Sequence, residues 1–248
     1  MPITLRLTER QQDALHRHLF PGDGNESVTV GICGRHRSQA HHVVTLHKML
    51  HIPYEDCSVR APDRVTWSTR RLEELLVEAI RRGHAVVKFH SHPGGYDQFS
   101  AVDDASDRDL FASVHGWTDG PDPHVSAVML PSGRILARAV HPNGAFEEIS
   151  RVAVAGEDLA FYDTREADAE SALGLEHDRQ ARCFGKATTR LMRRLSVGVV
   201  GCSGTGGPTI EMLGRLGVGR LVLVDPDTVG PENLNRIPNT IRRHADRR

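Results

Sequence analysis

Cysteine is scarce in this 248-residue chain and never closely paired: Cys33, Cys57, Cys183 and Cys202 are scattered, with no CxxC step among them. Three lie in or beside apolar runs, where a reduced core thiol is expected, and a reducing cytoplasm fits this usage best. An excess of either charge is also missing, with 31 basic against 32 acidic side chains. No global field therefore points to nucleic acid or to an acidic membrane. The basic ending "IRRHADRR" reads as a solvated tail. No apolar run approaches the roughly 20 residues that a membrane helix needs. The opening "MPITLRLTERQQDALHRHLF" lacks the charged-then-apolar order of a signal peptide. Internal repeats and low-complexity tracts are absent.

Histidine, by contrast, is abundant at 15 residues, so no single histidine carries an argument alone. Alternating Ile3, Leu5 and Leu7 predict a short strand, and Thr8 with Gln11 predicts a capping box opening a helix that ends near Phe20. "SVTVGICG" and "HHVVTLHKML" read as strands. Between Ser68 and Arg82, Leu72, Leu75, Leu76, Ala79 and Ile80 fall on one helical face, with Gly83 as the stop. "HAVVKF" is then a buried strand, Ser100 caps a further helix, and "VSAVML", "PSG" and "RILARAV" form a hairpin. From about Val154 to Gln180 the composition shifts to Ala, Asp and Glu, which suggests a helical linker. The following "LSVGVVGCSGTGGPTIEMLGRLGVGRLVLVD" has the strand–glycine loop–helix–strand order of a nucleotide-binding βαβ unit.

The strand "HAVVKF" delivers the stretch "FHSHPGGYDQFSAVDDASD". His90 and His92 are two apart, so an extended backbone turns both imidazoles to one side. Asp103, in the first turn of the next helix, can fold back as a third ligand. Three protein ligands and one open position make a catalytic zinc site. Ser100 and Asp103 are also what an ordinary helix start contains, but the combined spacing favours a metal.

This pattern, HSHP-x6-S-x2-D, resembles the JAMM motif of the JAB/MPN metallopeptidases, zinc isopeptidases acting on ubiquitin and ubiquitin-like tails. The resemblance spans about residues 1–150. It implies Zn2+ held by His90, His92 and Asp103, with Ser100 holding the oxyanion or the attacking water. It also implies a glutamate general base at the start of an upstream strand: Glu26 fits, and Glu55 is the fallback. The expected chemistry is amide hydrolysis, in which the metal acidifies water and a carboxylate relays its proton to the leaving amine.

In the later βαβ unit, Gly201, Gly204, Gly206 and Gly207 would let backbone amides approach a phosphate, and Asp225 ends the second strand where ribose hydroxyls would lie. Such a loop could serve NAD as well as ATP. The next stretch, "DPDTVGPENLNR", resembles the ThiF/MoeB/HesA adenylating enzymes related to ubiquitin-activating enzymes. The resemblance implies ATP, with Mg2+, near Asp225, Asp227, Asn233, Asn235 and Arg236. "DRQARCFG" resembles that family's arginine segment, so Arg179 would reach the phosphates of a partner subunit in a homodimer. The matched region, about 177–248, is shorter than a full adenylating domain, and adenylation by this chain alone is not expected.

The expected architecture is α/β throughout. A JAB/MPN three-layer domain of the cytidine-deaminase-like kind would occupy 1–155, a linker 156–180, and a partial ThiF-type Rossmann-like unit 181–248, its arginine segment starting at 177. The expected function is a cytoplasmic, bacterial-type (iso)peptidase that removes or trims ubiquitin-like proteins, coupled to a module activating their C-terminus. Partners would be a ubiquitin-like or sulfur-carrier protein with a Gly-Gly end and a conjugating-enzyme-like protein, without nucleic acid or membrane. Processing of sulfur carriers for thiolation, and a non-catalytic module that binds ubiquitin-like proteins, are the alternatives.

Overall fold

The computed structural model describes residues 2–39, 41–163 and 174–245. The chain divides into two compact units, with the division between 168 and 169.

In the first unit, strand β1 (Ile3–Thr8) leads into helix α1 (Glu9–Leu19) through the expected capping box of Thr8 and Gln11. Strands β2 (Val28–Arg37) and β3 (His42–His51) follow, then a hairpin of β4 (Cys57–Ala61) and β5 (Arg64–Trp67). A 3-10 turn at Thr69–Leu72 opens α2 (Glu73–Arg82), which stops at Gly83 in the left-handed conformation, φ 62°. The helical stripe is one position shorter than the sequence suggests: Leu72, Leu75, Leu76 and Ala79 are buried, but Ile80 is exposed. Strand β6 (Ala85–Ser91), helix α3 (Ala101–Thr118), the hairpin β7 (His124–Met129) with β8 (Ile135–Val140), and strands β9 (Phe146–Glu148), β10 (Arg151–Ala155) and β11 (Ala160–Asp163) complete the unit.

Nine of these strands form one mixed sheet in the order β11-β10-β1-β3-β2-β6-β7-β8-β9. Alternation along the strands divides its core into two. On one face Leu5, Leu7, Val87, Phe89, Ala127 and Met129 pack with Leu15 and Leu19 of α1. On the other, Val28, Val30, Ile32 and Val86 pack with Leu72, Leu75 and Leu76 beside α2 and with Phe111 and Val114 of α3. Helix, sheet and helix pair thus make three layers. Residues Ala160–Asp163, read from composition as linker, form β11, which pairs antiparallel with β10 and closes one sheet edge. Residues 164–173, the rest of that expected linker up to Gly174, lie outside the described residues.

The second unit carries α4 (Asp178–Phe184) and α5 (Lys186–Arg194), then β12 (Ser196–Val200), α6 (Gly206–Arg215) and β13 (Arg220–Val224). A short helix, α7 (Arg242–Ala245), ends the described chain. Strands β12 and β13 pair in parallel, Ser196 with Arg220 through Val200 with Val224, as a βαβ unit requires.

Candidate metal centre

Strand β6 and helix α3 build the site. His90 lies on β6 on the face that meets α3, and His92 follows one residue past the strand end. Ser100 caps α3, and Asp103 occupies its third position; each side chain accepts from the other's backbone N–H, in a capping box. The cap folds Asp103 back toward the two histidines.

The three donors converge. His90 Nε2 stands 2.8 Å from Asp103 Oδ1, His92 Nε2 3.4 Å from Asp103 Oδ2, and the two imidazole nitrogens 3.2 Å apart. Tetrahedral coordination at metal–ligand distances of about 2.0–2.1 Å puts neighbouring donors about 3.3 Å apart. That is close to the His90–His92 edge and to each histidine's own Asp103 edge, and with one oxygen from Asp103 all three donors lie within 4.8 Å of one another. All three residues are buried, and they form the one cluster of three potential ligands found among the described residues. The outer contact of His92 favours this use. Its Nδ1 donates to the Tyr96 carbonyl at 2.7 Å, which leaves Nε2 of the neutral ring with a free lone pair facing the cluster. His90 has no such outer contact: its buried Nδ1 is without a partner.

Charge is consistent with a cation held here. Burial opposes the Asp103 carboxylate, but the neighbouring His90 and His92 imidazoles and the Ser100 backbone N–H outweigh it and hold the group well below the usual range. Burial, aided by Lys88, lowers the pKa of His90. For His92 burial is outweighed by Asp103 and the Tyr96 carbonyl, which raise its pKa.

Glu26 lies just before β2, two residues ahead of Val28. Val28 pairs with His90 in antiparallel register, so the same register extended sets Glu26 opposite His92. Its backbone N–H donates to the Ala61 carbonyl and its own carbonyl accepts from Arg60 Nε, tying it to the β4–β5 hairpin. Burial raises the Glu26 carboxyl to about 7, with the charges of His92 and Asp103 acting in opposite senses. Glu55, the fallback, is exposed on a 3-10 turn. Ser100 Oγ donates to Asp103 Oδ2 at 2.7 Å, so here its proton orients the ligand, whereas the expected oxyanion role would need that bond to break.

A cavity of about 800 Å3 lies between β5, α2 and α3, bounded by Trp67, Leu76, Val102, Leu110 and Trp117 among others, and none of His90, His92, Asp103 and Glu26 lines it. Its wall includes Ala101 and Val102, directly ahead of Asp103. Four further charged residues near the site had no sequence signal as site residues: Lys88 and Arg138 on apolar strands, and Asp104 and Asp107 on α3.

In the second unit a cavity of about 600 Å3 lies over the glycine loop, where Gly201, Gly204, Gly206 and Arg236 come together. Gly206 has to be glycine: an added Cβ would stand 1.7 Å from the Gly201 carbonyl oxygen. Gly207, Asp225, Asp227, Asn233, Asn235 and Arg179 are not part of that lining. Asp225 instead accepts from the backbone N–H of Cys202 and of Asp227, which lower its pKa, so it fastens the loop to β13. Asn233 Oδ1 accepts from Gly230 N, and Arg179 is exposed on α4.

Residues 8–139 match the family described as prokaryotic homologs of the JAB domain, and residues 177–244 match the ThiF family. Among curated proteins the chain is similar to ubiquitin-like modifier-activating enzyme 5 of Arabidopsis thaliana, 50% identical over 46 residues, 18% of this chain and 11% of that protein. The protein of that name from Dictyostelium discoideum is also 50% identical over 46 residues, 12% of its length. The matched part of the chain thus spans about a tenth of these relatives. A Desulfitobacterium hafniense protein solved in solution matches with TM-score 0.40 and 15% identity, covering 62% of this chain and 94% of its own.

Proposed function

Since the chain belongs to the prokaryotic homologs of the JAB domain over more than half its length and carries a ThiF family segment, we propose that its first unit is a zinc-dependent hydrolase of peptide or isopeptide bonds made by ubiquitin-like proteins. The JAB family membership and the ThiF match support a role in ubiquitin-like pathways. The finer reading rests chiefly on one observation, the buried convergence of His90, His92 and Asp103 beside the Glu26 carboxyl.

His90, His92 and Asp103 would hold the ion, and a zinc bound there would supply Lewis acidity and water acidified to a pKa of about 7. The remaining work falls to the protein. Glu26, raised to about 7 by burial, would divide between carboxylate and acid near neutrality. As carboxylate it accepts the proton of the attacking water, and as acid it returns that proton to the leaving amine. Ser100 keeps Asp103 oriented through its hydroxyl and backbone N–H. The cavity along α3, whose wall reaches Ala101 and Val102, would be a bed for part of the substrate.

In the second unit the loop amides and Arg236 would take nucleotide phosphates, ATP with Mg2+. A ubiquitin-like or sulfur-carrier protein with a Gly-Gly end is the partner both units would share. The test is cleavage of a panel of ubiquitin-like fusions by the full chain, with metal content measured on the same sample. Chelator-sensitive cleavage with about one zinc per chain is expected. A chain without zinc that still binds such proteins would replace the hydrolase with a binding module.

A further inference from the structure

One step behind the metal centre lies a buried row of charge. Lys88 on β6, Ser126 on β7 and Arg138 on β8 are cross-strand neighbours, and all three are buried. Lys88 precedes His90 by two, so both side chains leave β6 on the face that meets α3. Over the row sits Asp107, fully buried, one helical turn beyond Asp103. Its carboxylate pairs with Lys88 Nζ through Oδ1 and accepts from Arg138 Nη2 through Oδ2 at 2.7 Å. Arg138 also donates to Asp104 Oδ1 at 2.5 Å and stacks over Phe99 and Phe146, at 3.9 and 3.7 Å from their ring centroids.

Strand and helix are therefore joined by two rungs, His90–Asp103 and Lys88–Asp107. Two residues of strand span about 6.6 Å and four residues of helix about 6 Å, so both rungs close together. Sliding α3 by one residue would turn Asp103 by about 100° away from the histidines and break the second rung as well. Apolar packing of similar volume would hold a helix as firmly as buried ion pairs do. What the charges add is direction: Asp107 is drawn to two cations fixed on different strands, so α3 can neither slide nor roll.

We propose that Lys88, Asp107 and Arg138 are positioning residues, whose buried ion pairs set the register of α3 on β6 and thereby the distance from Asp103 to His90 and His92. The inference rests on the reading of those three residues as metal ligands.

Zinc and cobalt(II) titrations of the full chain test it, with melting in chelator as the check on folding. Asp107→Asn is expected to weaken zinc binding about 10–100-fold and to change the visible absorption of bound cobalt. The double variant Lys88→Met/Asp107→Leu removes both charges together, so it should melt near the wild type in chelator yet still bind zinc at least about tenfold more weakly. Val114→Ala, a core lesion on the same helix, should lower the melting point and leave the cobalt spectrum alone. Wild-type zinc affinity and an unchanged cobalt spectrum in the folded double variant would overturn the proposal. If that variant does not fold, the same two readings on Asp107→Asn decide. A wild-type chain that takes up neither metal would instead remove the metal-centre reading itself.

Discussion

The two units differ in what they withdraw from solvent: the first buries polar groups along with its apolar core, and the second leaves large apolar groups exposed. In the first, charged and imidazole groups are inside: Lys88, His90, His92, Asp103, Asp107, His124 and Arg138 are all buried. In the second, apolar groups are outside: Val200 is 81% exposed, Met212 64% and Val224 51%, and among its described residues only Thr189 is buried. A buried polar group must be satisfied by its neighbours, so its surroundings dictate its ionisation and orientation. Chemistry can therefore be argued from the first unit's side chains. In the second unit it would come from loop amides held open by backbone geometry and from Arg236.

The sharpest test of this contrast is His92→Ala, expected to abolish zinc binding and cleavage together while leaving any nucleotide binding by the glycine loop intact. Loss of both functions would show that the units are not independent. Glu26→Gln should keep the zinc and lower turnover about 10²–10⁴-fold, measured as kcat on a fusion substrate. Unaltered turnover would assign the base elsewhere. For stability, Phe89→Ala should destabilise the first unit by about 3–5 kcal/mol in denaturant unfolding. Val200→Ala, at a surface position, should stay within about 0.5 kcal/mol. Comparable effects at both sites would erase the contrast.

Acid should also act unequally. Burial lowers the pKa of His18, His42, His51, His84 and His115, and takes His124 down to about 2. The unfolded chain takes up protons at these positions below about 6.5, and the folded chain does not until lower pH. Their neutral packing is therefore fully compatible with the fold above pH 6.5, and stability falls as pH drops from there toward the folded values. His124 alone should cost about 1.4 kcal/mol per pH unit below 6.5. It accepts from Val86 N at Nδ1, and protonation would break that bond. The second unit contains only His177 and His244, neither of them buried. Calorimetry between pH 7 and 5 should show the first unit's transition moving down more than the second's.

How far the sequence alone reveals this depends on separation along the chain. His90, His92 and Asp103 fall within fourteen residues on one strand–loop–helix passage, so local geometry nearly determines their meeting. Glu26 is legible because strand starts carry a sequence signal, but its placement opposite His92 depends on β2–β6 register, which only the fold supplies. The row of Lys88, Ser126 and Arg138 joins three strands far apart in sequence, and a lysine inside "HAVVKF" carries no mark of its burial. The β4–β5 hairpin and β11 escape because none of their residues is fully buried, β4 and β11 do not alternate, and β5 alternates over only four residues. Asp225 was legible as a strand-end acid, whereas its grip on Cys202 N depends on how the loop closes.

Asp103 completes the capping box of α3 through Oδ2, and faces His90 with Oδ1 and His92 with that same Oδ2. Such a residue cannot drift by small steps. An asparagine could still cap but would bring a neutral ligand, while a glutamate would carry the charge on a longer arm with a different reach. The geometry thus ties local folding to the candidate site: a related chain with no use for an ion here would be free to change His92 at once, yet would still be held to a capping-box residue at position 103.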